Sequence, residues 1–128
     1  MNKIFPLILF NFFILSSYAD MKIFLFGDED YERYLGCFNC PISDVESIHY
    51  PHLGIYSSKE SPISIFNHQG RYGSAQSEYS PCNESASTPP LLIGEDEKFY
   101  GFLTLNINNP KRFSASYILP WLERICVE

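Results

Sequence analysis

Basic residues are scarce: 9 Lys and Arg stand against 15 Asp and Glu in 128 residues, a formal charge of −6. They form no cluster that would neutralise a phosphate backbone and release its counterions, so nucleic-acid binding is not expected and an anionic lipid surface is disfavoured. Long hydrophobic runs are scarce too. The longest, Ile4 to Leu15, has 12 residues, short of the roughly 20 that a helix needs to cross a ~30 Å hydrocarbon core. No later stretch is apolar enough to form a stable membrane span. No Gly-x-Ser-x-Gly, phosphate-cradling glycine loop or Ser/His/Asp order stands out among the many serines, which leaves no familiar motif for acyl or phosphoryl transfer. Neither a cofactor nor a resident metal is expected.

What is there begins with Lys3, the apolar run, and the small-residue stretch Ser16-Ser17-Tyr18-Ala19. That order is the grammar of a signal peptide, with a retained anchor as the competing reading. Residues 1–19 are therefore expected to be removed, leaving 20–128 as a single exported domain, secreted or periplasmic. Loss of Lys3 leaves 8 basic against 15 acidic residues, −7. Such a balance keeps an exported domain soluble and by itself names no partner. The 109 residues left are enough for one modest core.

Met21 to Phe26 is short and aromatic-rich, Gly27-Asp28-Glu29-Asp30 is turn material, and Tyr31 to Leu35 follows. This predicts a β-hairpin. A second hairpin is predicted from Leu91-Leu92-Ile93, the turn Gly94 to Lys98, and the alternating Phe99 to Leu105. Pro89-Pro90 sets where its first strand can begin, because proline cannot donate to a ladder. Near the C-terminus, Asn109-Pro110 reads as an N-cap with proline in the first turn. Phe113, Tyr117, Trp121 and Ile125 then recur every four residues beside Ile118 and Leu122, a helical stripe that Pro120 is expected to kink or divide. The fold class is α+β, mainly β: two hairpins, a turn-rich segment between them, and a C-terminal helix that packs Trp121 against the sheet.

The segment from about Ser43 to Ser87 is the most distinctive. Tyr56 to Asn67 aligns with Tyr72 to Asn83 at a constant offset of 16, matching Tyr, three serines and the final Asn. Ser47-Ile48-His49-Tyr50 followed by Gly54-Ile55-Tyr56 resembles an earlier, degenerate copy. Serines fall three apart, at 58, 61, 64 and at 74, 77, 80, the spacing of a three-residue-per-turn conformer. The expectation is a chain of successive turns, with Tyr56, Phe66 and Tyr72 inward and Ser or Asn side chains satisfying the backbone. Two or three such units cannot stand alone and must lean on the hairpins and helix. A flexible Ser-rich linker is the competing reading, against which the regularly placed aromatics argue.

Cys37, Cys40, Cys82 and Cys126 form an even set, read first as a disulfide framework with three pairings open. A Cys40–Cys82 bridge, for scale, would close about 42 residues and contribute roughly 4 kcal/mol. Cys37-Phe38-Asn39-Cys40 is also the C-x-x-C spacing of thiol–disulfide exchange, but acidic surroundings with only Arg33 nearby do little to lower a thiol pKa. Cys37, Cys40, His49 and His52 together suggest a zinc tetrahedron whose later spacings depart from the common finger. His68 reads as a local turn residue. The acidic clusters Asp28-Glu29-Asp30 and Glu95-Asp96-Glu97 lack the alternating ligand order of a calcium loop and read as solvated turn charge. Asn83-Glu84-Ser85 is an N-glycosylation acceptor motif, relevant in a eukaryotic host.

Tyr34-Leu35-Gly36-Cys37-Phe38-Asn39-Cys40, Ser64 to Asn67 with Gly70 to Ser74, and Phe99 to Asn106 together resemble a group of small bacterial exported proteins. That group shares a Leu-Gly-Cys-Leu-Asn-Cys opening, tandem Ser-Ile-x-Asn and Tyr-Gly-Ser units, and a closing Phe-Tyr-Gly-Tyr-Leu-Thr hairpin. The resemblance implies an ordered, repeat-containing domain and carries over no catalytic residue. The stretch His49-Tyr50-Pro51-His52 departs from the pattern. The functional expectation is a non-catalytic exported binding or envelope-associated module of unknown partner, presenting Tyr56, Tyr72, Tyr79, Asn67 and Asn83, since Tyr with Ser, Gly and Asn makes adaptable recognition surfaces. These same aromatics equally serve a small core. The alternative function is a thiol–disulfide oxidoreductase built on Cys37 and Cys40.

Overall fold

A computed structural model describes residues 21–127; the expected signal peptide lies outside the described residues. The fold is α+β and mainly β. Strands β1 (Ile23–Gly27), β2 (Arg33–Cys37), β3 (Leu91–Gly94) and β4 (Phe99–Phe102) form one antiparallel sheet in the order β2-β1-β3-β4. The two expected hairpins are its halves, and β1 pairing with β3 joins them. Leu25 sits opposite Leu92 in that pairing, and both are fully buried. Leu35 joins them from the irregularity in the β1–β2 register, where Leu25 opposes Gly36 and Phe26 opposes Tyr34. The second hairpin strand ends at Phe102, earlier than the alternation to Leu105 suggested. Gly101 explains why: its φ is +132°, and an added Cβ would stand 2.8 Å from the Phe113 backbone nitrogen. The incoming chain takes over there, with Phe102 N–H donating to Lys111 O and Phe113 N–H to Phe102 O. At the opposite edge, Cys37 N–H donates to Glu46 O and Ile48 N–H to Cys37 O. Both edges are thus partly covered by their own chain, which blunts strand addition.

Between the hairpins the chain advances in three-residue steps. Ser61 N–H donates to Ser58 O, Ser64 to Ser61, Asn67 to Ser64 and Gly70 to Asn67; further on, Ser77 donates to Ser74, Ser80 to Ser77 and Ala86 to Asn83. At the Ser and Asn corners a side-chain oxygen also accepts the N–H two residues on: Ser58 from Glu60, Ser64 from Phe66, Asn67 from Gln69, Ser77 from Tyr79, Ser80 from Cys82 and Asn83 from Ser85. These are the Asx- and Ser-turns that short polar side chains form with their own backbone. Two of the three N–H groups in each such step are therefore satisfied. The third follows the corner residue, and Pro62, Pro81 and Pro110 occupy that slot, where no donor is needed.

The same longer bonds occur at an offset of 16 residues: the hydroxyls of Ser61 and Ser77 donate to Ile55 O and Arg71 O, and the amides of Asn67 and Asn83 to Ser61 O and Ser77 O. Gly73 is required by close approach, since a Cβ there would lie 2.2 Å from Asn67 O. Ser47-Ile48, Ser64-Ile65 and Ser80-Pro81 all point inward and are buried to below 2 % exposure. Leu105 N–H donates to Pro81 O and Asn106 Nδ2 to Ala86 O, so the segment after β4 lies against this ladder. The ladder is ordered through its side chains, as the inward aromatics suggested: Tyr72 is buried, and Tyr56 and Phe66 pack on the core.

The helix is shorter than the sequence pattern implies. It runs from Ile118 to Val127, burying Ile118, Leu122 and Ile125. Asn109 caps a turn instead of a helix, accepting Lys111 N–H at its side chain and Arg112 N–H at its carbonyl. This is the chemistry of the Ser and Asn corners, and Asn-Pro suits both a corner and a helix N-terminus. Pro120 causes no kink because it lies in the first helical turn, where no intrahelical donor is required. Trp121 stands against Phe38, His49 and Phe66 rather than on the sheet strands.

The disulfides are Cys37–Cys40 and Cys82–Cys126, with Cα separations of 5.5 and 5.4 Å. The Cys40–Cys82 bridge used above for scale does not form. Cys82–Cys126 ties the last ladder turns to the helix, which sequence spacing alone had left open.

Candidate functional site

Two groups of side chains converge at the surface. The first joins the β1–β2 turn to the ladder. Asp28, held at φ 79°, accepts Arg71 Nη2 at 2.7 Å and the Tyr72 hydroxyl at 3.0 Å. The Arg71 guanidinium sits 4.1 Å from the centre of the Tyr79 ring, and the Tyr79 hydroxyl donates to Glu29. The Arg71 hydrogen bond, with that of Tyr72, holds the Asp28 carboxyl below its usual range. Burial first, then the Asp28 contact, raises the Tyr72 hydroxyl pKa. Arg71 and Asp28 remain about half and a third exposed, so this ion pair stabilises modestly. Each of these side chains bonds another within the group, which makes it a tether between two elements.

The second group is an aromatic cup. Phe38 follows β2 and is fixed by the Cys37–Cys40 bridge around it. His49 comes from the first ladder turns and is held by a 3.0 Å contact between its Nε2 and Phe38 O, in which the nitrogen donates. Tyr117 and Trp121 come from the start of the helix, one turn apart. Phe38, Asn39, His49, Tyr117 and Trp121 line a cavity of about 270 Å³. Trp121 is the chain's single tryptophan. Its ring stands edge-to-face with Phe38 at 5.8 Å and Phe66 at 6.3 Å, at 87° and 86°, and Phe38 makes the same contact with Phe113. Such pairs fix ring orientation and contribute about 0.5–1.5 kcal/mol each beyond burial. Asn39 is committed to its own fold: Oδ1 accepts Ile23 N–H and Nδ2 donates to Met21 O.

The residues expected at a recognition surface are distributed otherwise. Tyr72 and Asn83 are buried, at 4 % and 9 % exposure. Asn83 is folded inward with its amide bonded on both sides, so the glycosylation motif is not displayed. Asn67 holds the corresponding corner one unit earlier. Tyr56 is half-buried, 5.1 Å from the Tyr34 ring, and Tyr79 belongs to the tether. Cys37 and Cys40 are bonded to each other and buried. The zinc arrangement is not assembled: those sulfurs are committed, His49 turns to Phe38 O, and His52 stands against Tyr50. Among the described residues, no three His, Cys, Asp or Glu are grouped as metal ligands. His68 bonds Ile125 O at 2.8 Å, so it anchors the helix instead of a local turn. In the second acidic cluster, Asp96 accepts the Tyr100 hydroxyl at 2.6 Å, which lowers its pKa.

The cup was missed in the sequence. Its residues are scattered from 38 to 121, and Tyr117 and Trp121 read as one core stripe until the late helix start turns Tyr117 outward, to 59 % exposure. Fold and site together define a small, disulfide-stapled, mainly β domain with an aromatic cup on one face. Set against protein-family models, curated proteins and solved structures, the chain matches none of them.

Proposed function

We propose that the chain is an exported, non-catalytic binding module that works in the cell envelope or its surroundings and recognises its partner through the cup at Trp121. The observation that carries this reading is the cup itself: four aromatic side chains from three parts of the chain, of which Phe38 and Trp121 are held by right-angle ring contacts and His49 by its bond to Phe38 O before any partner arrives. Concave apolar sites of this kind are where small groups dock, and rings that are already fixed lose little entropy on binding. Two disulfides fit an oxidising compartment, in line with the signal-peptide grammar of residues 1–19 and with the resemblance to small bacterial exported proteins. The thiol–disulfide alternative has less support, because an exchanging sulfur must be reached by another thiolate and Cys37 and Cys40 are 0 % and 5 % exposed.

The test uses the purified 20–128 domain and envelope fragments of the producing cell. Saturable retention on the fragments, reduced at least tenfold in Trp121→Ala and unchanged in Tyr79→Phe, is the expected result, with no acceleration of insulin reduction by dithiothreitol. Equal retention of Trp121→Ala and the unaltered domain would remove the cup from the account, and catalysed insulin reduction would install the oxidoreductase instead.

A further inference from the structure

The chemistry of the cup narrows its ligand, and this step rests on the binding reading above. Its lining is aromatic, and much of its polar capacity is already taken: both ends of the Asn39 amide and the Nε2 of His49 are bonded to backbone. A sugar ring would bring several hydroxyls into a cup with few groups left to answer them, and a buried polar group without a partner costs about 1–3 kcal/mol. An anion is disfavoured by the surrounding charge, −6 over the chain. Among the described residues, no Lys or Arg lines the cavity. What suits such a lining is a cation that makes no hydrogen bonds. The faces of Trp, Tyr and Phe rings carry the negative side of their quadrupoles and attract cations, Trp most strongly. From this geometry we propose that the cup binds a quaternary ammonium group, in the form of a soluble trimethylammonium compound of choline size. The acidic surface raises the local concentration of such a cation, and the rings replace its weak hydration without leaving any donor or acceptor unpaired.

The fluorescence of Trp121, the single tryptophan, reports the site directly. The 20–128 domain is titrated with choline chloride and, separately, with 3,3-dimethyl-1-butanol, its neutral isostere, at matched ionic strength. Choline is expected to give a saturable change with an affinity at least tenfold above that of the alcohol. Tyr117→Leu, an exposed position where the change leaves the core intact, is expected to weaken choline at least fivefold while leaving the alcohol unchanged. Equal affinity for both compounds would overturn the cation claim and leave a merely apolar cup. Absence of a response to either, with Trp121-dependent envelope retention intact, would overturn it while sparing the binding reading. Co-sedimentation with phosphatidylcholine vesicles that Trp121→Ala abolishes, without binding of free choline at millimolar concentration, would overturn the soluble source in favour of a lipid headgroup.

Discussion

Replacing Asn83 by alanine tests the side-chain logic of the turn ladder at a buried corner where one side chain makes bonds on both sides. The Asn83 amide donates to Ser77 O at 3.1 Å and accepts Ser85 N–H at 3.0 Å, and the residue is 9 % exposed. Each bond contributes about 1 kcal/mol net, and leaving a partly buried carbonyl without its donor adds further cost. The expected loss is therefore about 2–3 kcal/mol, close to the upper range seen for removal of an Asn or Ser helix cap, a comparable side-chain-to-backbone interaction. In a domain near 100 residues this corresponds to a fall of roughly 10 °C or more in melting temperature. Ser58→Ala is the internal control, because Ser58 accepts one bond from the exposed Glu60 N–H; its expected cost is under about 1 kcal/mol. Urea unfolding followed by circular dichroism, with disulfides intact, measures both. If Asn83→Ala fell within about 0.5 kcal/mol of the parent, like an ordinary surface change, the corners would not be held by their side chains and the reasoning would fail.

The two disulfides should differ in worth. Cys82–Cys126 closes a separation of 44 residues and Cys37–Cys40 one of 3, so on the chain-entropy model their removal costs about 4 and about 2 kcal/mol. Unfolding of the Cys82→Ala/Cys126→Ala and Cys37→Ala/Cys40→Ala pairs checks the order, and a reversal would contradict it. Acid should loosen the tether. The Asp28 carboxyl is held below its usual range by Arg71, so its stabilisation is complete above the unfolded value near 4 and is lost as pH falls through the lower folded value. Asp28→Asn, which tolerates the positive φ, should lack that share of the pH dependence below about pH 4. A titration curve of stability unchanged by the substitution would show the tether to be idle.

The hairpins were legible because their signals are local. Gly27 to Asp30 and Gly94 to Lys98 are turn chemistry between aromatic-rich runs, and the strands fall there. The three-residue spacing of serines was legible for the same reason, since each corner is decided by one side chain and the next two amides. The helix start was misread because Asn109-Pro110 is locally ambiguous, and only tertiary contact settles it: Phe102 pairs with the chain at Arg112, which holds the 109–112 turn against the sheet edge. Tyr72 was expected both inward and on a binding surface, and the tether draws it inward; Asn83 read as a surface group from residue type but bonds backward to Ser77. The cup lay beyond sequence reasoning because it requires the path of the chain: Phe38, His49 and Trp121 meet through ladder, sheet and helix together.

Amide hydrogen exchange read residue by residue by NMR addresses most directly whether residues 57–86 form a rigid scaffold. Slow exchange is expected at Ser61, Ser64, Asn67, Ser77 and Ser80, whose N–H groups are bonded, and fast exchange at Lys59, His68, Ala75, Glu78 and Glu84, which follow the corners. That alternation, repeated every third residue, is the signature of the turn ladder. Uniformly fast exchange across 57–86 would make the segment a flexible linker, and the cup would lose the support on which its proposed function rests.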